Sequence, residues 1–193
     1  MRYIQEKYYY YQRLNFYLHL HQRQYCNLQC YFLKIRFQNQ NFYHQIDYYE
    51  NSGESFAHYV DVLTEKDYAY SCHIAPHDIQ ARELGTGKSR LEVAAELGLD
   101  FQVAPKLEVD HGIESVRNAL KQCWFDREKC KQGLDALRQY RKQWDEKNQV
   151  FKNKPLHDWC SHAADSFRYG CVSEPLDTTE WDKPINVDTK YVV

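Results

Sequence analysis

Residues 2 to 46 contain no Ala, Gly, Val, Asp, Pro, Ser or Thr, and are crowded with Tyr, Gln, Phe, Leu, His and Asn; every missing type returns from Asp47 onward. Folded domains use Ala, Gly, Val and Ser among their commonest residues, so their absence over such a span is not an ordinary domain signature. Nor is it a linker, since linkers are rich in Gly, Ser or Pro. One cause fits the omissions together. Ala, Gly, Val, Asp and Glu have codons beginning with G, and Pro, Ser, Thr and Ala are reached through a central C; Glu6 alone breaks the first rule. The expectation is that residues 1–45 are an out-of-frame or non-coding stretch joined to a genuine domain. The alternative is a Tyr/Gln-rich interaction segment of prion-like composition.

The chain has 193 residues, enough for one ordinary domain. Its net charge of −2 gives no global basic field for nucleic acid, although a local patch remains open. Seven cysteines form an odd set without a regular framework, and no charged start leads into an apolar run. A reducing, cytosolic setting is expected, with no membrane span.

From Tyr43 onward, strand-like and helix-like words alternate. "YHQIDYYE" and "YAYSCHIAP" predict strands, the second ending at Pro76, and "LDFQVAP" predicts a short third. "GESFAHYVDVLTEKD" places Phe56, Tyr59, Val60 and Leu63 on one helical stripe. "DHGIESVRNALKQCWF" and "REKCKQGLDALRQYRKQWDEK" predict two amphipathic helices, with Ile113, Val116 and Leu120 in one core stripe and Leu134, Leu137, Tyr140 and Trp144 in the other. A last helix is expected from Ser161 to Tyr169, stopped by Gly170. Strands alternating with helices imply an α/β fold with a mostly parallel or mixed sheet. The remainder, 171–193, is expected to be a polar, loosely ordered tail.

"RELGTGKSRLE" contains Gly-Thr-Gly-Lys-Ser, which invites a phosphate-binding loop. That loop needs a glycine five residues before Gly87, and the position holds Arg82; the preceding residues are polar rather than a buried strand. A glycine turn opening a helix is expected instead, with Leu91, Val93, Ala94, Ala95 and Leu97 on the buried side and Gly98 as its stop.

Two carboxylates stand out. Asp78 follows a strand directly, facing the end of an α/β sheet where ligands bind. Asp165 lies in the final helix, with Arg168 three residues on. Two acids on separate elements at one sheet end are what a Mg²⁺ or Mn²⁺ site for phosphodiester cleavage requires, because such hard cations take oxygen ligands. Taken without further context, a helix cap and a solvated acid account for them equally simply. His157, Cys160 and His162, Cys123 and Cys130, and Cys26 and Cys30 lie close in sequence, but none has paired Zn-ligand spacing, and no nucleophile elbow surrounds any cysteine.

The words "IDYYENSGE", "HIAPHDIQARELGTGKSRLE", "LDFQVAPKLEVDHGIESVRNAL", "CWFDREKCKQGLDALRQYRKQWDEK" and "PLHDWCSHAADSFRY", in this order from Ile46 to Tyr169, resemble the C-terminal nuclease domain of the large terminase subunit of tailed phages and prophages. The resemblance implies a ribonuclease-H-like mixed sheet flanked by helices over residues 46–170. It also implies a two-metal endonuclease that cuts concatemeric double-stranded DNA during genome packaging, and a separate ATPase absent from this chain. By the same resemblance Asp78 and Asp165 are catalytic metal ligands, the metal being Mg²⁺ or Mn²⁺. His77, Lys88, Arg90 and Arg168 lie in words close to these acids and are candidate DNA phosphate contacts; the equal alternative is that Arg168 pairs with an acid and Lys88 is solvated. Portal protein and the small terminase subunit are the further implied partners, and the bacterial host cytoplasm is the implied setting. Asp165 matches the acid of a His-x-x-Asp-Ala-x-Arg-Tyr word, with Ser166 where Ala is usual. The family's earlier acid, on its opening strand, has no counterpart in the corresponding "RQYCNLQCYF". The first strand is therefore expected to be missing or aberrant, and cleavage to be impaired. Asp47 and Asp158 are the possible substitutes, although Asp47 belongs to a later strand and Asp158 can cap the last helix. The other readings are a non-catalytic DNA- or portal-binding module and the product of a pseudogene.

Overall fold

The computed structural model describes the backbone of residues 2–4, 14–23 and 26–36, and residues 43–66, 68 and 70–173 more fully. A seven-stranded sheet runs in the order β1-β7-β4-β3-β2-β5-β6, made of β1 (Arg2–Ile4), β2 (Leu14–Arg23), β3 (Cys26–Arg36), β4 (Tyr43–Ser52), β5 (Tyr70–Ala75), β6 (Phe101–Val103) and β7 (Cys123–Asp126). β2, β3 and β4 form an antiparallel meander, whereas β5 is parallel to β2 and β6 to β5. On the far side β7 runs parallel to β4, and β1 to β7. The compositional break falls within this sheet, since β4 crosses it.

The strand expected to be missing or aberrant is present as β2, beside β5, with Tyr17 opposite Ile74. What is aberrant is its sequence: LNFYLHLHQR holds no acid. The word RQYCNLQCYF is not that strand; it begins at Arg23, the last residue of β2, and runs into β3.

β4 shows how the sheet divides its side chains between two helical layers. Leu33 pairs with Asp47 and Lys34 with Gln45, so Ile46 is an extra residue, a bulge. A bulge breaks the two-residue alternation. Gln45, Ile46, Asp47 and Tyr48 are all buried in consequence, with Ile46 and Tyr48 in different cores. Ile46 packs with Leu63 of α1 (Phe56–Glu65), Ala75 and Ile79, against Leu91 of α2 (Arg90–Glu96). Tyr48 joins Cys123, Phe125, Cys130, Leu134, Ala163 and Phe167, which bring in α4 (Lys131–Gln139) and α5 (Ser161–Val172). α3 (Val109–Leu120) adds Val116 and Leu120 there.

Several expected boundaries move. "CWF" is not the end of a helix but the buried strand β7, because a short apolar run suits either element until its neighbours are known. The helix expected through Trp144 ends at Gln139. Tyr140 is extended, and Lys142–Asp145 (β8) pairs with Val150–Pro155 (β9) in a hairpin. The Asp145 carboxylate accepts from the Lys147 and Asn148 amides and shapes the turn, leaving Trp144 part-exposed against Phe151 rather than in the core. In α2, Leu97 is exposed, and the buried residue is Ala94. Gly170 does not stop α5, which continues to Val172. Gly98, at φ 83°, does end α2 as expected. The expected polar tail lies outside the described residues beyond Ser173.

Candidate metal centre

Asp78 owes its position to two local features. Pro76 ends β5, and Ile79, fully buried, pins a single 3-10 turn (His77–Gln80) beneath the sheet end. Asp78 therefore stands just past the C-terminal end of a parallel strand next to the acid-free β2. Asp165 comes from the opposite direction. α5 buries Ala163, Ala164, Ser166, Phe167 and Arg168 and packs across β2, β3 and β5. Tyr169, one turn beyond Asp165, rests on Ile74 of β5 and Ala104, just after β6.

This tyrosine relates the two acids. Burial raises the pKa of the Tyr169 phenol; the Asp78 and Asp165 carboxylates raise it further, and Arg168 opposes them. Tyr169 thus lies within electrostatic reach of both carboxylates. Tyr140 is also raised, by burial and then by Asp165.

Arg168 takes the acid-pairing course of the two its position allowed. Its Nε and Nη2 both donate to Asp165 Oδ1, at 3.2 and 2.9 Å, and its side chain is 9% exposed. The guanidinium carbon lies 4.8 Å from the centroid of the Tyr169 ring. Lys88 pairs with Glu96 at 2.5 Å on an exposed surface, and Arg90 lies 3.6 Å from Glu83. His77 is half-buried, and its Nδ1 is buried without a hydrogen-bond partner among the described residues.

The Gly-Thr-Gly-Lys-Ser segment is a turn and a helix cap. Arg82 donates to the Gly87 carbonyl at 2.7 Å and to Glu92 at 3.1 Å, filling the space that a phosphate loop leaves open. Ser89 and Glu92 form a capping box at the start of α2.

Neither substitute acid reaches the centre. Asp47 is buried and bound to Lys66 at 2.6 Å, and it acts on Tyr70 at the start of β5. The strand register puts Asp47 level with His73, three strands across the sheet, about 14 Å from the strand that leads to Asp78. Asp158 accepts from the Cys160 amide at 3.2 Å, before α5 begins, and lies seven residues from Asp165, about 10 Å of helix. Among the described residues no group of three or more His, Cys, Asp or Glu side chains could hold a metal ion. His157 and His162 stack edge to face at 5.4 Å without forming such a set. The donor chemistry of Asp78 and Asp165 nevertheless suits Mg²⁺ or Mn²⁺, both being oxygen donors. Among the described residues no third ligand joins them.

The fold has counterparts among solved structures. The SPP1 bacteriophage large terminase nuclease domain with bound Mn superposes with a TM-score of 0.61 at 15% identity, over 81% of this chain and 84% of that one. The P22 large terminase nuclease domain gives 0.62 at 16%, over 89% and 85%. The fold is that of a large-terminase nuclease domain. It is ribonuclease-H-like. The large terminase from the thermophilic bacteriophage D6E gives 0.63 at 17%, over 89% of this chain, and this chain spans only 41% of that one. Neither a protein-family model nor a curated protein sequence matches the chain. No helix of the described residues is long and apolar enough to cross a membrane.

Sequence reasoning overlooked Tyr169, and it overlooked Gly112 of α3, whose absent side chain makes room for Arg168. A glycine inside an otherwise amphipathic helix was the available signal, because it costs helix stability and needs a packing reason.

Proposed function

We propose that this chain is the nuclease part of a phage or prophage large terminase, in which Asp78 and Asp165 hold a divalent cation and cleavage of double-stranded DNA is strongly impaired. The observation that carries the reading is the packing of α5 on the end of β5: Asp78 follows that strand directly, and Tyr169, one turn beyond Asp165, packs with Ile74 of β5 and Ala104. The nuclease domains it resembles in fold have been solved with bound Mn and bound cobalt, which supports a divalent-metal site here. Such a cation, when bound, supplies charge neutralisation and water activation. The acids of this chain would anchor it, and Arg168 would orient one of them. Impairment follows from β2, which contributes no carboxylate beside Asp78.

Mn²⁺ titration with supercoiled-plasmid nicking tests the reading. The expected result is weak Mn²⁺ binding and slow nicking, both removed by Asp78→Ala or Asp165→Ala. Binding that survives both substitutions would exclude the acid pair.

The acid-free β2 also favours a second reading, a non-catalytic module that binds DNA or portal protein; it predicts DNA retention with no nicking at any Mn²⁺ concentration. The proposed out-of-frame origin of residues 1–45 is decided by the gene. A shifted frame that reads as ordinary protein into Ile46-Asp47 supports it, and an unbroken frame refutes it.

A further inference from the structure

We propose that Gly112 and Arg168 form a positioning device for Asp165, so that α3 controls the metal affinity of a residue on α5; this rests on the acid-pair reading above. A Cβ at Gly112 would lie 2.6 Å from Arg168 Cδ and 2.9 Å from Cγ. These atoms belong to the stem of the side chain, which cannot swing away while its head is held. The head is held at two places: both Nε and Nη2 bind Asp165 Oδ1, and the guanidinium lies against the Tyr169 ring. The buried arginine therefore occupies a slot bounded by the bare backbone of Gly112 on one side and by Asp165 and Tyr169 on the other.

Two donors converging on one oxygen restrict the rotation of the Asp165 carboxylate. Groups that orient a metal ligand in this way typically govern affinity by 10- to 100-fold. The geometry also reassigns Arg168 from the phosphate contact that its sequence position suggested to a residue acting through Asp165. Gly112 acts one step further back, since it touches Arg168 and sets where its stem can run.

The test is a double-mutant cycle on the full chain, with Mn²⁺ as the probe and free Mn²⁺ followed by electron paramagnetic resonance. Gly112→Ala should weaken Mn²⁺ binding about tenfold. In an Arg168→Ala background, which removes the Cγ and Cδ atoms that the new methyl meets, the same change should have no further effect. An equal loss in both backgrounds, or no loss in the parent, overturns the proposal. Arg168→Lys keeps the stem and the charge but lacks the two-donor fork, so it should weaken Mn²⁺ severalfold even if Gly112→Ala does not fold; unchanged affinity overturns the proposal too. A metal-free measurement accompanies these: the Arg168 Nε–H should exchange slowly in the parent and faster in Gly112→Ala, and identical exchange refutes the slot. Asp78→Ala separates the two claims. Mn²⁺ binding that ignores Asp78 defeats the acid-pair reading, whereas binding that needs Asp78 but ignores Gly112 and Arg168 defeats the positioning alone.

Discussion

Replacing Lys66 with Met tests whether Asp47 is a structural acid or a metal ligand. Asp47 is 8% exposed at its side chain, and its ion-pair partner Lys66 is 25% exposed. Asp47 also accepts from the Tyr48 amide at 2.8 Å and the Tyr68 hydroxyl at 3.5 Å. Removing one partner of a fully buried pair costs about 3–5 kcal/mol, because the other charge is left uncompensated. The exposure of Lys66 lets water supply part of the lost solvation, which lowers the figure to about 2 kcal/mol. For a chain of this length, that is a fall in Tm of about 4–8 °C. Asp47→Asn should cost less, about 1 kcal/mol, since Lys66 can turn toward water. The double variant should recover much of the Lys66→Met loss, as a coupled pair does. Circular dichroism melts at 222 nm measure all three, with Mn²⁺ affinity recorded in parallel. Additive stability losses would refute the ion pair. A drop in Mn²⁺ affinity with Asp47→Asn would place Asp47 in the metal centre and refute its separation from Asp78 across β3 and β2.

Three further outcomes follow from the same geometry. His73 lies between the Tyr70 and Phe101 rings, and burial holds its pKa down at about 4, with Asp100 opposing. The unfolded chain then binds a proton that the native state refuses, so this contribution is intact above about pH 6.5 and is lost as pH falls toward 4; about 2 kcal/mol should disappear over that window, and His73→Phe should flatten the acid limb of a Tm–pH curve. Ser89→Ala removes the α2 cap and should cost about 1 kcal/mol, while added ATP should leave the Tm of the parent unchanged because the preceding turn is filled by Arg82. Cys130 is fully buried, its thiol donates to the Gln45 carbonyl, and burial pushes its pKa well up; iodoacetamide at pH 8 should label it far more slowly in the native chain than after unfolding, as peptide mass mapping can read.

The sequence alone was sufficient for elements whose signals are local. Hydrophobic spacing located α1, with Tyr59 and Leu63 inward, and Pro76 marked the end of β5 just before Asp78. Arg82 in place of a glycine excluded the phosphate loop without coordinates. Composition revealed an N-terminal stretch unlike a domain, yet it could not show β2 and β3 entering the sheet, because composition carries no pairing pattern and the contact of β2 with β5 is non-local. The same limit hid β7, whose short run becomes a strand only beside β4; the β8–β9 hairpin is local, and was hidden because its apolar spacing also suits a helix.

At the candidate centre, sequence identified Asp78 and Asp165 as residue types suited to a hard cation, and the missing acid as a gap. Only the tertiary structure set Tyr169 against Ile74 of β5, tied Asp47 to Lys66 three strands away from β5, and settled Arg168 as the buried partner of Asp165. Each of those outcomes depends on which surfaces of α3, α5 and the sheet are pressed together. Hydrophobic periodicity tells which side of a helix is buried, but not which residue of another helix will meet it; the contact between Gly112 and Arg168 exists only once the whole core has closed.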